Sequence, residues 1–491
     1  MINYLNKTFR TPNWLFVVMT LVFVFRIPSF FEPYAYGDEM IYLTLGEGVR
    51  QGVTLYGEIH DNKPPLLYLT AAAAGSVFWF RAILAIWHII TIYIFWKLLD
   101  HLFPNNRIVQ IASTITFTIL TTIPMFEGQI ANSEIFMIGF TILGFLLLLK
   151  NRSVRNSFLA GILFSIASMF KIPAAFDMPA IMIYFLIVTK LNWKNIKSLF
   201  VTFFYMSIGF ILPIAISFIY YYLQGAFAEY AIAGYLQNVG YLSSFRPEDI
   251  SEPFLTKNAP LLTRGVVVLI LSAVVFLFRK KLSKPFILVF VWLIFTLFAV
   301  ALPERPYPHY LIQSIPPLSI MIGMLFGLST LEQVLVVFPL SLTFFVPIYF
   351  KFWKYETTPY YQRFIDYSLG SLSENDYKSG FGEHVVVDEK VSEFVATTTS
   401  RNDRIYVWGD NATIYAKSKR LPPIKWVADY HIHDFSDKQT VAEELREKKP
   451  VYIIIIPNSE PYPELNQLIN NNYFLVKEIE GVRIWKLSNS P

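Results

Sequence analysis

The residues able to do chemistry gather near the ends of apolar stretches. Early in the chain stand Tyr36-Gly37-Asp38-Glu39, then Leu55-Tyr56-Gly57, then Asp61-Asn62-Lys63-Pro64-Pro65-Leu66. Two adjacent carboxylates beside a hydrophobic run suit general-base work or a hard-cation site. Asp38 also suits a helix N-terminus, where a carboxylate caps backbone N–H groups and meets a favourable dipole. One aspartate can do both. Further along come Asn132-Ser133-Glu134, Lys171, and Arg305-Pro306-Tyr307-Pro308-His309-Tyr310. An arginine in a proline-stiffened loop is suited to bidentate contact with a phosphate. Lys171, at the end of an apolar run, either serves an anionic partner or snorkels to the headgroups. Glu134 either acts or caps the helix it opens. Arg81 pairs with an acid or a phosphate, structural pairing being the simpler reading. Tyr230, Tyr235 and Tyr241 either stack on a sugar or sit in an aromatic belt, and the belt is the better fit. His60 has no His or Cys at metal-ligand spacing, which argues against zinc. Trp408-Gly409-Asp410-Asn411 reads as a strand end turning into a helix, without chemistry.

The elements that must position these residues are mostly membrane spans. Of 491 residues, 54% are hydrophobic and only 16% charged, with a mean hydropathy of +0.44. Soluble domains carry about 25% charged residues, so much of this chain is not dissolved in water. A span needs about 20 apolar residues, and about eleven runs qualify or come close. They lie near 14–31, 76–98, 107–125, 134–149, 156–172, 174–190, 198–221, 263–279, 285–302, 312–328 and 332–350. The first run follows Lys7 and Arg10, but no small-residue cleavage site follows it, so it reads as a retained span rather than a signal peptide. Alternate loops hold Lys97 and Arg107, then Lys150, Arg152 and Arg155, then Lys190, Lys194 and Lys197, then Arg279, Lys280, Lys281 and Lys284. All face the cytoplasm if the N-terminus does, which puts the first loop and the C-terminal tail outside. The net charge of +5 sits in these short clusters, so nucleic-acid binding is not indicated. With no cysteine, disulfides and thiolate sites are excluded.

The first long loop, 32–75, carries its own helices. Asp38, Tyr42, Leu45 and Val49 share one helical face, and Gly52 is placed to stop it. Pro64 and Pro65 start another helix, which would reach about 50 Å if it ran unbroken to Leu99. A break is therefore expected around Ala71–Gly75. From about residue 385 the composition turns soluble. There Val391–Thr398, Val441–Lys448 and Glu464–Asn471 read as helices, Arg404–Trp408 and Val451–Ile456 as strands. Phe474–Leu487 reads as a hairpin around Glu480-Gly481. The alternation predicts a small α/β domain, giving a division into 1–350, membrane, and 351–491, extracytoplasmic.

The order of acidic pair, Gly-x-x-Leu-Tyr-like segment and Asp-x-Lys-Pro-Pro resembles the first periplasmic loop of the GT-C glycosyltransferases. It is most like the bacterial protein-mannosyltransferase-like group, which includes aminoarabinose and galacturonosyl transferases. The resemblance continues at Glu134, Lys171 and the Arg305–Tyr310 run, over roughly the first 330 residues. It implies an all-α polytopic membrane domain with the small α/β domain appended. It implies transfer of a sugar from a polyprenyl-phosphate carrier to a lipid, glycan or protein acceptor, with inversion. Asp38 would be the base, with Glu39 and Glu134 as further acids. Lys63, Lys171, Arg305, His309 and Tyr310 would bind the donor phosphate. No cofactor is required, and a divalent cation on Asp38, Glu39 and Glu134 is compatible with it.

Other classes lack their signatures. Nucleotide binding has no Gly-x-Gly-x-x-Gly or P-loop, and no Asp-x-Asp occurs. The main rival is a transporter or flippase of cell-envelope substrates, which would place ionisable groups near the bilayer midplane. Here they crowd span ends instead.

Overall fold

The computed structural model describes residues 11–190, 192–238, 254–303 and 305–488. Lys7, Arg10 and Tyr241 lie outside them. Among the described residues eight helices are long and apolar enough to cross a membrane. They are Asn13–Phe31, Val77–Leu102, Ser133–Lys150, Trp193–Leu223, Ala259–Phe278, Lys284–Ala301, Pro308–Gly327 and Leu331–Tyr349. Three of the expected runs form shorter apolar helices, Arg107–Leu120, Val154–Phe170 and Ile172–Val188. Their ends have local causes. Asn106 caps the first, accepting from the Val109 N–H at 3.1 Å. The other two part at Lys171, whose backbone is extended, just before a turn in which Pro173 has no N–H to carry the helix on. The chain is a multi-pass membrane protein.

The chain divides into two compact units, each drawn from separate stretches of sequence. The first comprises 1–27, 84–219 and 235–357, and the second 28–83, 220–234 and 358–491. In the first, Lys284–Ala301 is central, with 78% of its most apolar window buried. Trp193–Leu223 and Ala259–Phe278 bury 22% and 17% of theirs, leaving the apolar surface that lipid would cover. Asp177, buried inside this bundle, is paired. Asp177 accepts from Trp292 Nε1 at 2.7 Å and Gln313 Nε2 at 3.2 Å.

In the second unit the first-loop helices are Gly37–Arg50 and Leu66–Ala74. The latter ends at Gly75, whose φ of 67° is left-handed. A Cβ there would lie 1.9 Å from Arg50 Nη1, so glycine alone permits both the turn and the guanidinium. The expected break is thus real. The tail forms a four-stranded sheet, β1 Ile405–Trp408, β2 Tyr452–Ile455, β3 Tyr473–Ile479 and β4 Val482–Leu487. Its order is β1-β2-β4-β3, with β1 and β2 parallel and the remaining pairs antiparallel. The β3–β4 turn falls at Glu480 and Gly481, both at positive φ. Tyr406, Trp408, Trp426, Leu445, Ile453 and Leu465 anchor the core.

Loop and tail fold together. The His60 N–H donates to the Lys425 carbonyl at 2.8 Å. Arg401 pairs with Glu47, and Gly37–Arg50 packs on the tail helix Thr413–Ser418.

Candidate active site

Asp38 and Glu39 occupy the first turn of Gly37–Arg50, where carboxylates complement the helix dipole. Being adjacent on a helix, they point about 100° apart and meet different surroundings. Glu39 is fully buried. Arg81 holds both its oxygens, Nε to Oε1 at 3.1 Å and Nη2 to Oε2 at 2.6 Å. The same guanidinium reaches Glu32 at 2.7 Å and the Ser29 carbonyl at 3.0 Å. This fork geometry gives Glu39 and Arg81 a structural part. Asp38 is half-buried and accepts one hydrogen bond, from the Tyr42 hydroxyl at 2.9 Å. Among the described residues it has no cation within ion-pair distance.

Lys63 stands beside it. Its ammonium lies 4.9 Å from the centre of the Tyr42 ring and 3.5 Å from Asp61 Oδ2. The backbone there is pinned by tyrosines. Tyr56 Oη donates to the Lys63 carbonyl at 2.7 Å, and the Lys63 N–H donates to Tyr68 Oη at 3.1 Å. Tyr56 takes a left-handed φ of 72° and packs against Tyr68, Tyr221 and Tyr230. Tyr230 is therefore fully buried, supporting this loop rather than lining an aromatic belt, because Tyr56 and Tyr221 cover its ring. Tyr235 stacks on Phe218 at 5.3 Å.

Asp61 is the residue whose importance the sequence did not disclose. Fully buried, it accepts from the Asn62 N–H and the Tyr68 hydroxyl, both at 2.7 Å. His431 Nε2 lies 3.5 Å from Oδ1. Burial opposes its charge, but Lys63, His431 and Tyr68 outweigh burial and hold the carboxyl well below its ordinary value. Burial also holds His60 neutral, down to about 3. Asp410 is pushed up by burial and by the Asp38 charge, with His431 opposing. Asp429 is pushed up to about 7 by burial, against the Gly409 N–H.

The first unit gathers a second cluster. Glu134 opens the helix Ser133–Lys150 and pairs with Lys171. The Lys171 ammonium sits 3.4 Å from the centre of the Tyr310 ring. His309 Nδ1 lies 2.6 Å from Glu127 Oε2, and its Nε2 4.0 Å from Glu134 Oε1. Asn132 Nδ2 also donates to Glu127, at 2.9 Å. Glu127 carries a left-handed φ of 60°. The turn is fixed by Gly128, whose carbonyl accepts from Arg26 Nη2 at 2.8 Å. A Cβ on Gly128 would lie 2.6 Å from the Thr121 carbonyl. That glycine beside an acid was the sequence's only trace of the turn. Arg305, at the head of the Pro-rich loop, is exposed.

Asp38, Glu39 and Lys63 thus belong to one unit, and Glu134, Lys171, Arg305, His309 and Tyr310 to the other. The set Asp38, Glu39 and Glu134, offered for a cation, includes two carboxylates already held by Arg81 and Lys171. Among the described residues no group of three His, Asp or Glu is arranged to hold a metal.

Comparison with known proteins bears on the fold. Residues 387–487 match a family described as "Putative competence-induced protein Ccs4 C-terminal domain". No curated protein matches the sequence. The crystal structure of ArnT from Cupriavidus metallidurans bound to undecaprenyl phosphate is similar, with a TM-score of 0.61 and 11% identity. The likeness covers 97% of this chain and 99% of that one. The apo state of the same protein gives 0.53 at 13% identity, over 96% and 97% of the two chains. The oligosaccharyltransferase AglB from Archaeoglobus fulgidus, with an inhibitory peptide and a dolichol-phosphate, gives 0.47 at 14%, over 98% and 75%. At these identities the likeness shows the fold alone, and the chain shares the fold of ArnT.

Proposed function

We propose that the chain transfers a sugar from a polyprenyl-phosphate carrier to an acceptor hydroxyl on a lipid, glycan or protein, with inversion at the anomeric carbon. The observation that carries this reading is that one tyrosine, Tyr42, donates its hydroxyl to Asp38 and carries the Lys63 ammonium over its ring, within one unit. Asp38 takes the acceptor's proton as its oxygen attacks the anomeric carbon. The bond from that carbon to the phosphate oxygen breaks, and polyprenyl phosphate leaves with one more negative charge than it carried as a diester. Lys63, whose ammonium lies over the ring of the tyrosine that donates to Asp38, meets that growing charge. Arg305, Lys171, His309 and Tyr310 are proposed as donor-phosphate contacts of the first unit, Arg305 foremost because its guanidinium suits a bidentate contact with a phosphate. Support for the donor class comes from the undecaprenyl phosphate bound by ArnT, a protein of the same fold.

The orientation belongs to the same proposal. The N-terminus faces the cytoplasm, while Asp38 and the tail lie outside. Reporter fusions after residues 155 and 283 then read cytoplasmic and fusions after 400 external.

The deciding experiment is Asp38→Asn, which keeps size and the Tyr42 hydrogen bond but cannot take a proton. A general base contributes about 10²–10⁴ in rate, so turnover should fall that far while undecaprenyl-phosphate affinity and melting temperature stay at wild type. Near-full turnover in the Asn variant would remove Asp38 from the chemistry.

A further inference from the structure

The Asp61–Lys63 pair raises a difficulty for the reading above. Asp61 is fully buried, and Lys63 is the ammonium that balances it, at 3.5 Å with 19% of its side chain exposed. A lysine that turns to a phosphate reduces its hold on the carboxylate it leaves. Asp61 would then keep its charge on the Asn62 N–H and the Tyr68 hydroxyl, with His431 Nε2 still 3.5 Å away. A buried carboxylate short of partners is costly, and its movement would carry the Lys63 backbone with it.

The tail provides the missing donor. His431 sits in the helix Asp429–Phe435, fully buried. Neither ring nitrogen meets a hydrogen-bond partner among the described residues, although Nε2 lies 3.5 Å from Asp61 Oδ1. Its ring is held by Tyr430 at 4.4 Å and His60 at 5.8 Å between centroids. The His60 N–H is in turn tied to the Lys425 carbonyl. A buried imidazole with both nitrogens unsatisfied normally costs stability, so its retention at that distance from a carboxylate calls for a use. Closing the gap to an ordinary hydrogen bond takes about 0.5 Å.

We propose that His431 is a positioning residue, which takes up the Asp61 carboxylate when Lys63 turns from it to the donor phosphate. The small C-terminal domain thereby takes part in donor binding through one side chain, without touching the donor. This rests on Lys63 being the phosphate ligand.

The test uses the full chain in lipid nanodiscs with undecaprenyl phosphate as the probe. His431→Phe keeps the ring packing and removes both nitrogens, and His431→Gln keeps a donor. Binding should weaken about tenfold in His431→Phe, the loss of one charge-assisted donor, and recover most of that in His431→Gln. The lipid-free melting temperature should stay close to wild type, because Lys63 still pairs with Asp61 there. Combined with Lys63→Ala, His431→Phe should add no further loss. A silent His431→Phe, or a loss fully additive with Lys63→Ala, overturns the proposal and leaves the Lys63 reading standing. Wild-type binding in Lys63→Ala alone overturns the Lys63 reading, and this inference falls with it. Should His431→Phe fail to fold, His431→Leu in both backgrounds reads the same coupling.

Discussion

In the first unit every acid of the cluster has a nearby base: Glu134 faces Lys171, and Glu127 faces His309. In the second, Glu39 is clasped by Arg81 and Asp61 shares Lys63, while Asp38, one residue from Glu39, keeps only a tyrosine hydroxyl. The first arrangement is closed, with charges balanced before any ligand arrives. Among the described residues, the second leaves Asp38 without a cation in ion-pair distance at a half-exposed position. Neighbouring acids therefore have different uses, and the difference lies in whether a cation has already claimed them.

The largest effect that could break this contrast is expected at Arg81. Removing it leaves Glu39 and Glu32 buried without their cation, a loss of about 3–5 kcal/mol. Arg81→Leu should accordingly abolish folding or strongly lower the yield of detergent-stable protein. Glu39→Gln should instead retain turnover per folded molecule, in contrast with Asp38→Asn. If Glu39→Gln and Asp38→Asn lose turnover equally, the two acids act together and the division drawn between them is wrong.

A middle-sized effect sharpens the role of the first unit. A hydrogen bond to a charged group contributes about 1.5–3 kcal/mol, so Arg305→Ala should weaken undecaprenyl-phosphate binding roughly tenfold to a hundredfold. If binding is unchanged while the melting temperature falls, Arg305 is structural, and donor binding rests with the second unit.

The smallest effect is local and concerns pH. His60 is held neutral to about 3 by burial, with His431 adding, whereas an unfolded histidine titrates near 6.5. Between those values the opened segment binds more protons than the closed one. Stability from His60 is thus complete above about pH 6.5 and is lost as pH falls toward 3. Amide exchange of residues 58–62, corrected for its intrinsic pH dependence, should show protection falling from pH 7 to 5, and His60→Phe should flatten that slope.

Much of the frame was legible because it is written in short-range patterns. Apolar runs gave the spans, Gly75 marked the break after Ala74, and Glu480-Gly481 marked the hairpin. Asp38 and Glu39 were readable as a first turn because both carboxylates complement the dipole. What escaped were long-range meetings. Nothing near Asp61 announces His431, and nothing near Glu127 announces His309, because such pairs leave no period in the chain. The helices Thr357–Ser368 and Asp429–Phe435 were missed for another reason, the first being polar overall and the second only 7 residues long.

The clasp between the first loop and the tail also sets an order of events in the making of the molecule. Thr44 and its contact at the Ala412 carbonyl are 368 residues apart. At about 5–20 residues per second, the ribosome needs roughly 20–70 s to bridge that interval. During that time the loop carrying Asp38 has no tail to close on, so Asp61 waits without His431 and Glu47 without Arg401. A chain cut short anywhere before about residue 430 would insert its spans and still lack a finished loop. A later-made part of the protein thus completes an earlier one.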